Sequence, residues 1–114
     1  MADRDKAEEE AHSAIQQIAD LCKALAHPLR IEILDALDAD PRRTLSASRF
    51  ANTKDADLSR VSYHAIRLKQ AGVLEVATER KVRGATERSY SLTGPRARLA
   101  LDVIAMVRAG SAPS

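Results

Sequence analysis

Tryptophan is absent, and one phenylalanine and two tyrosines bring the aromatics to only 3% of 114 residues. A core without rings must be aliphatic, and this pattern makes it mostly helical. The single cysteine, Cys22, excludes an internal disulfide and any all-cysteine metal site; it reads as a small buried apolar residue on a helix. The four glycines stand apart from one another, which excludes a glycine-rich nucleotide loop. No apolar run approaches the ~20 residues of a membrane span, and no signal peptide opens the chain. His12, His27 and His64 are scattered, and Cys22 with His27 lacks further ligands. Neither a nucleophile beside a base nor a carboxylate pair stands at motif spacing, so no enzyme activity, cofactor or metal is expected.

What is present suits one domain: 45% apolar and 30% charged residues, with a net charge of +2. That small excess is unevenly spread. Acids dominate the first ten residues, whereas from Leu58 to Arg98 the bases Arg60, Arg67, Lys69, Arg80, Lys81, Arg83, Arg88, Arg96 and Arg98 face only Glu75, Glu79 and Glu87. Such segregation favours a polyanionic partner.

Periodicity divides the chain into a frayed start (1–6), a domain (7–109) and a disordered tail (110–114). Ala11, Ala14, Ile18, Leu21 and Leu25 recur at steps of three and four, predicting an amphipathic first helix from Ala7. His27-Pro28 punctuates, because proline suits a first helical position and pushes its predecessor out of the helix. A second helix to about Leu37 has Leu29, Ile33 and Leu37 on one side, with Ile31 and Leu34 adjacent. Arg30, on its outward side, either touches a phosphate or simply faces solvent. After a loop at 38–43, Thr44-Leu45 suggests a short strand. Ser46 then caps a brief helix, Ala47 to about Asn52, that buries Phe50 and Ala51.

Leu58–Leu74 (LSRVSYHAIRLKQAGVL) organises the remainder. Val61, Ala65 and Leu68 form an inward stripe continued by Ala71, with Ser59 as N-cap and Gly72 as the left-handed terminator. Arg60, Ser62, Tyr63 and Arg67 point elsewhere, as donors suited to phosphates and base edges. Within this helix His64 reads as packing beneath it or orienting a neighbour. Val73–Arg80 and Glu87–Leu92 then read as strands around a basic, glycine-bearing tip at Lys81–Ala85. Thr93-Gly94-Pro95 starts a last helix, Arg96–Ala109, apolar on nearly every side, which needs more cover than one small chain offers.

With ALAHPLRIEIL upstream (Ala24–Leu34) and the basic hairpin downstream, Leu58–Leu74 resembles the winged helix-turn-helix repressors of the ArsR-like group, small homodimeric transcription regulators of bacteria and archaea. The resemblance spans Leu21 to Met106. It implies a mainly α fold with a small β-hairpin wing, double-stranded DNA as partner, a cytoplasmic location and no membrane. Base contacts would fall to Ser62, Tyr63 and Arg67; Ser59, Arg60, Lys69, Arg80, Lys81, Arg83 and Arg88 would meet mainly phosphates. The homodimer would form through the terminal helices at Ala14, Ile18, Leu21, Leu99, Val103, Met106 and Val107. A two-fold pair would read an imperfect palindrome with half-sites ~34 Å apart, or a multiple of it.

Two departures from the group are visible. Asp55 stands in the turn where glycine is common, a position aspartate can fill because it tolerates left-handed geometry. The third helix offers Ala47, Ser48 and Arg49, and the last only Asp102, where metal-sensing members place Cys or His pairs; no metal sensing is expected, and the effector is unknown. Two other classes fit the same residues: a winged-helix interaction module, such as an antirepressor or regulator subunit, and a small-molecule-responsive switch.

Overall fold

The computed structural model describes residues 2–39 and 44–111. Five helices and a three-stranded sheet follow in the order α1 (Ala2–Leu25), α2 (Pro28–Asp38), β1 (Leu45–Ser46), α3 (Ala47–Lys54), α4 (Leu58–Gln70), β2 (Glu75–Val82), β3 (Ala85–Ser91) and α5 (Ala97–Ser111). This is the expected mainly α arrangement with a β-hairpin. The helix begins at Ala2 rather than Ala7, and the last helix runs on to Ser111. The rest of the expected tail, and most of the 38–43 loop, lie outside the described residues. Among the described residues no helix is long and apolar enough to cross a membrane.

The core is aliphatic and centred on α2 and α4. Leu21, Ile33, Leu34, Leu37, Val61, Leu68, Val73 and Leu74 are essentially sealed from solvent, and Phe50 and Tyr90 are buried among them. Each fully buried leucine or valine contributes about 1.5–3 kcal/mol relative to exposure. Leu29, Ile31, Val103 and Ile104 pack against its edge.

Local chemistry sets the boundaries. The His27 ring accepts from the Leu29 N–H through Nδ1 at 3.2 Å and so caps α2, a role that its place before proline did not disclose. Ser46 caps α3 as expected, accepting from the Arg49 N–H. Asp55 takes the left-handed conformation (φ 52°, ψ 43°) in the α3–α4 turn, as its tolerance for that geometry predicts. Asp57, not Ser59, caps α4: its carboxylate accepts from the Ser59 N–H at 3.2 Å, and Ser59 lies inside the first turn. Gly72 ends α4 at φ 83°, with its N–H on the Lys69 carbonyl and the Val73 N–H on Leu68. That pair of bonds is a Schellman motif, which satisfies the last carbonyls of the helix.

β3 is the central strand, antiparallel to β1 and β2. β2 gains one residue at Ala77, between the Val76–Tyr90 and Thr78–Ser89 pairs; such a bulge bends a strand and increases its twist. Beyond it the hairpin leaves the core. Its tip is two residues, Arg83 and Gly84, both at positive φ (52° and 81°), as the turn that matches strand twist requires. At its base, Gly94 lies against the backbone of Gly72 and Val73, where a Cβ would collide with the Gly72 carbonyl. The Gly94 N–H bonds the Val73 carbonyl at 3.2 Å, and the Arg96 N–H bonds Gly72 at 2.8 Å.

Candidate nucleic-acid interface

Burial sorts the faces of α4. Val61, His64, Ala65 and Leu68 are buried, while Ser59, Arg60, Tyr63, Arg67, Lys69 and Gln70 are exposed, Tyr63 at 55%. At ~100° per residue, Ser59, Tyr63, Ile66 and Gln70 lie opposite the buried stripe. Ser62 and Lys69 fall on one flank, Arg60 and Arg67 on the other. Leu58, Ser62 and Ile66 share a cleft of about 300 Å³ with Val82, Ala85 and Arg88 of the hairpin. Leu58 and Ile66 are apolar and so stand outside the donor set that the sequence marks; their spacing of four on either side of Ser62 is the signal that places them on its face.

The hairpin is less cationic in effect than in sequence. Arg80 pairs with Glu87 at 3.6 Å, and Arg88 both bonds and pairs with Glu79. That carboxylate holds the Arg88 guanidinium above its ordinary pKa, through the hydrogen bond first and charge second. Glu87 also accepts from the Ser46 hydroxyl at 3.0 Å, tying β3 to the start of α3. Among the described residues no carboxylate pairs with Lys81 or Arg83. The unneutralised charge therefore concentrates at the tip.

Arg30 does not simply face solvent, the second of its two expected roles. It is partly buried, donating from Nε to His64 Nδ1 at 2.9 Å and from Nη1 to the Ala24 carbonyl at 2.8 Å. It thereby ties the ends of α1 and α2 to α4 through Nε and Nη1. His64, 5% exposed, packs beneath the helix as one of its two expected roles. Its ring centroid is 4.0 Å from that of His27. Burial first, then the nearby charges of His27, Arg30 and Arg60, holds its pKa below 6.5. The neutral ring accepts at Nδ1, as the Arg30 bond requires.

The expected interface residues divide. Ile18, Leu99, Met106 and Val107 are 50%, 43%, 73% and 63% exposed, and Ala14 is exposed too. Leu21 is corrected: at 1% exposure it belongs to its own protomer's core, because α1 turns it toward α4. Val103 is partly used by that core as well. Cys22, expected to be buried, is exposed; it lines an apolar cleft with Ile31, Val103 and Ile104. No group of three or more His, Cys, Asp or Glu able to hold a metal occurs among the described residues.

No protein-family model matches the sequence, and no curated protein matches it. Solved structures do match. The homodimeric winged helix-turn-helix DNA-binding domain of Mb0332 from Mycobacterium bovis, described as a possible ArsR-family transcriptional regulator, is 22% identical. The match covers 90% of this chain and 87% of that one, at a TM-score of 0.66. A crystal structure of a Mycobacterium bovis fragment, described as a possible transcriptional regulatory protein, is 27% identical over 83% of this chain and 95% of that one, with a TM-score of 0.62. The transcriptional repressor BigR from Xylella fastidiosa is 20% identical, covering 94% of this chain and 99% of that one, with a TM-score of 0.63. The fold is thus a winged helix-turn-helix, as the resemblance of the sequence implied.

Proposed function

We propose that this chain is a sequence-specific DNA-binding transcriptional regulator acting as a homodimeric repressor. α4 of each protomer enters a major groove, Ser62 and Tyr63 read base edges, and the hairpin lies along neighbouring phosphates or the minor groove. Ser59, Arg60, Lys69, Lys81 and Arg83 carry the phosphate contacts, with Arg80 and Arg88 contributing through their ion-paired edges. Arg67, with its Nη1 on the Gln70 amide oxygen at 3.2 Å, stands at the rim of that face. A second copy covers Ile18, Leu99, Met106 and Val107, and the pair reads an imperfect palindrome. DNA regulation by the structural neighbours supports this reading.

The observation that carries it is the exposed row of Ser59, Tyr63 and Gln70 on a helix whose other side is sealed into the core, beside a hairpin whose unneutralised bases lie at its tip. Sequencing genomic fragments retained by the purified protein, followed by titrations at several salt concentrations, provides the test. Recovery of fragments sharing a two-fold motif is expected. Replacing both Lys81 and Arg83 by alanine should weaken binding to all sequences alike and reduce the salt slope by about 2. Tyr63→Ala should reduce discrimination between sites instead. Retention of no DNA at low salt would remove the proposal.

A further inference from the structure

Across α4 from the hairpin, a cleft of about 400 Å³ lies between the end of α1, the last turn of α4 and the start of α5. Lys23, Arg30, Arg67 and Arg96 line it, facing a single carboxylate, Asp20. Among the described residues none of the four bases is ion-paired, and Asp20 is engaged by the Gln16 amide at 3.0 Å. Several arginines elsewhere are neutralised where they stand, Arg80 by Glu87, Arg98 by Asp102 and Arg108 by Asp35; here four bases gather without that. A helix dipole favours one cation near the end of α4. It does not account for four bases brought together by α1, α2, α4 and the approach to α5.

The wall is also preorganised. Arg30 is fixed by His64 and the Ala24 carbonyl, and Arg67 by Gln70. Arg96 is anchored only at its backbone N–H, on Gly72, with its methylenes beside that glycine, so preorganisation of the guanidinium groups rests on Arg30 and Arg67. Guanidinium groups held in place before a ligand arrives lose little freedom on binding, and their planar forks match carboxylate and phosphate oxygens.

We propose that this cleft binds a small polyanion, a molecule with two or more carboxylate or phosphate groups. It goes beyond the DNA reading, because the hairpin and the Leu58–Ser62 flank contribute nothing to the cleft and Lys23 and Arg96 are not assigned to DNA.

The test uses the full chain, isotopically labelled and titrated with pyrophosphate and, separately, with citrate at constant ionic strength. Saturable shifts at the Gln70, Ala71 and Arg96 amides and at arginine side-chain N–H signals are expected with one or both probes. Tighter binding of pyrophosphate identifies a phosphate ligand, tighter citrate a carboxylate. Lys23→Gln with Arg96→Gln should weaken that binding about tenfold or more, Lys23→Gln alone less, and the Lys81→Gln, Arg83→Gln pair not at all. Shifts that grow linearly without saturating, or an unchanged affinity in the folded cleft variant, would overturn the site. So would a loss of DNA affinity in that variant equal to the hairpin variant's, which would make the cleft a backbone-phosphate contact. A chain that retains no DNA yet binds pyrophosphate here would keep the cleft and lose only the regulator reading.

Discussion

α4 brings Val61, Ala65 and Leu68 to zero exposure, whereas α1 leaves every side chain from Arg4 to Asp20 exposed, with Ile15 at 65% and Ile18 at 50%. Both helices have apolar residues at helical spacing. One chain supplies enough neighbours for the first and too few for the second. α5 stands between them: Ala97 and Ala100 are buried, while Met106 is 73% exposed. The difference shows that the inner face of the helix-turn-helix is satisfied within one chain, and that most of the surplus aliphatic surface lies on the terminal helices.

The largest expected effect tests that contrast directly. Leu68→Ala should cost about 2–5 kcal/mol in denaturant unfolding through lost burial and a cavity. Replacing Ile15 and Ile18 by serine should leave the unfolding free energy of the single chain within about 0.5 kcal/mol, yet convert the proposed dimer to a sedimenting monomer. A double-serine variant that stays dimeric would break the comparison.

A smaller effect concerns how α4 is held. Because His64 has a folded pKa below 6.5, the folded state favours the neutral ring. Its stability contribution is full above pH 6.5 and is lost as pH falls through that value toward the folded pKa, since the unfolded chain takes up the proton more readily. Protonation would remove the acceptor of the Arg30 bond. Thermal unfolding between pH 7.5 and 5 should therefore show a falling Tm, with a shallower slope in His64→Gln.

The smallest expected effect lies at the hairpin tip. Arg83 holds a left-handed backbone (φ 52°) that asparagine adopts more readily. Arg83→Asn should stabilise the fold by about 0.5 kcal/mol, part of the ~1–2 kcal/mol such a conformation costs an ordinary residue. Its DNA affinity should nevertheless fall.

Much of this was legible beforehand because it rests on short-range chemistry. The Val61–Ala65–Leu68 stripe, Ser46 as cap, Asp55 in the left-handed turn and Gly72 as terminator each follow from neighbours a few residues away. The failures share a different cause. Whether Leu21 faces a second protomer or its own core, and whether Arg30 faces solvent or His64, depends on a helix 34 or more positions distant. Likewise, residue types alone counted four bases on the hairpin, and only strand register showed that Glu79 and Glu87 sit beside two of them. Ser59 lost the cap to Asp57 by a smaller margin, since both residue types serve there.

The backbone contact between Gly94 and Gly72–Val73 has a mechanical consequence. Two amide bonds and the lack of room for even a methyl group join the approach to α5 to the exit of α4, so the two helices share a fulcrum instead of a slack tether. The start of α5 therefore cannot pivot without disturbing the glycine that terminates α4.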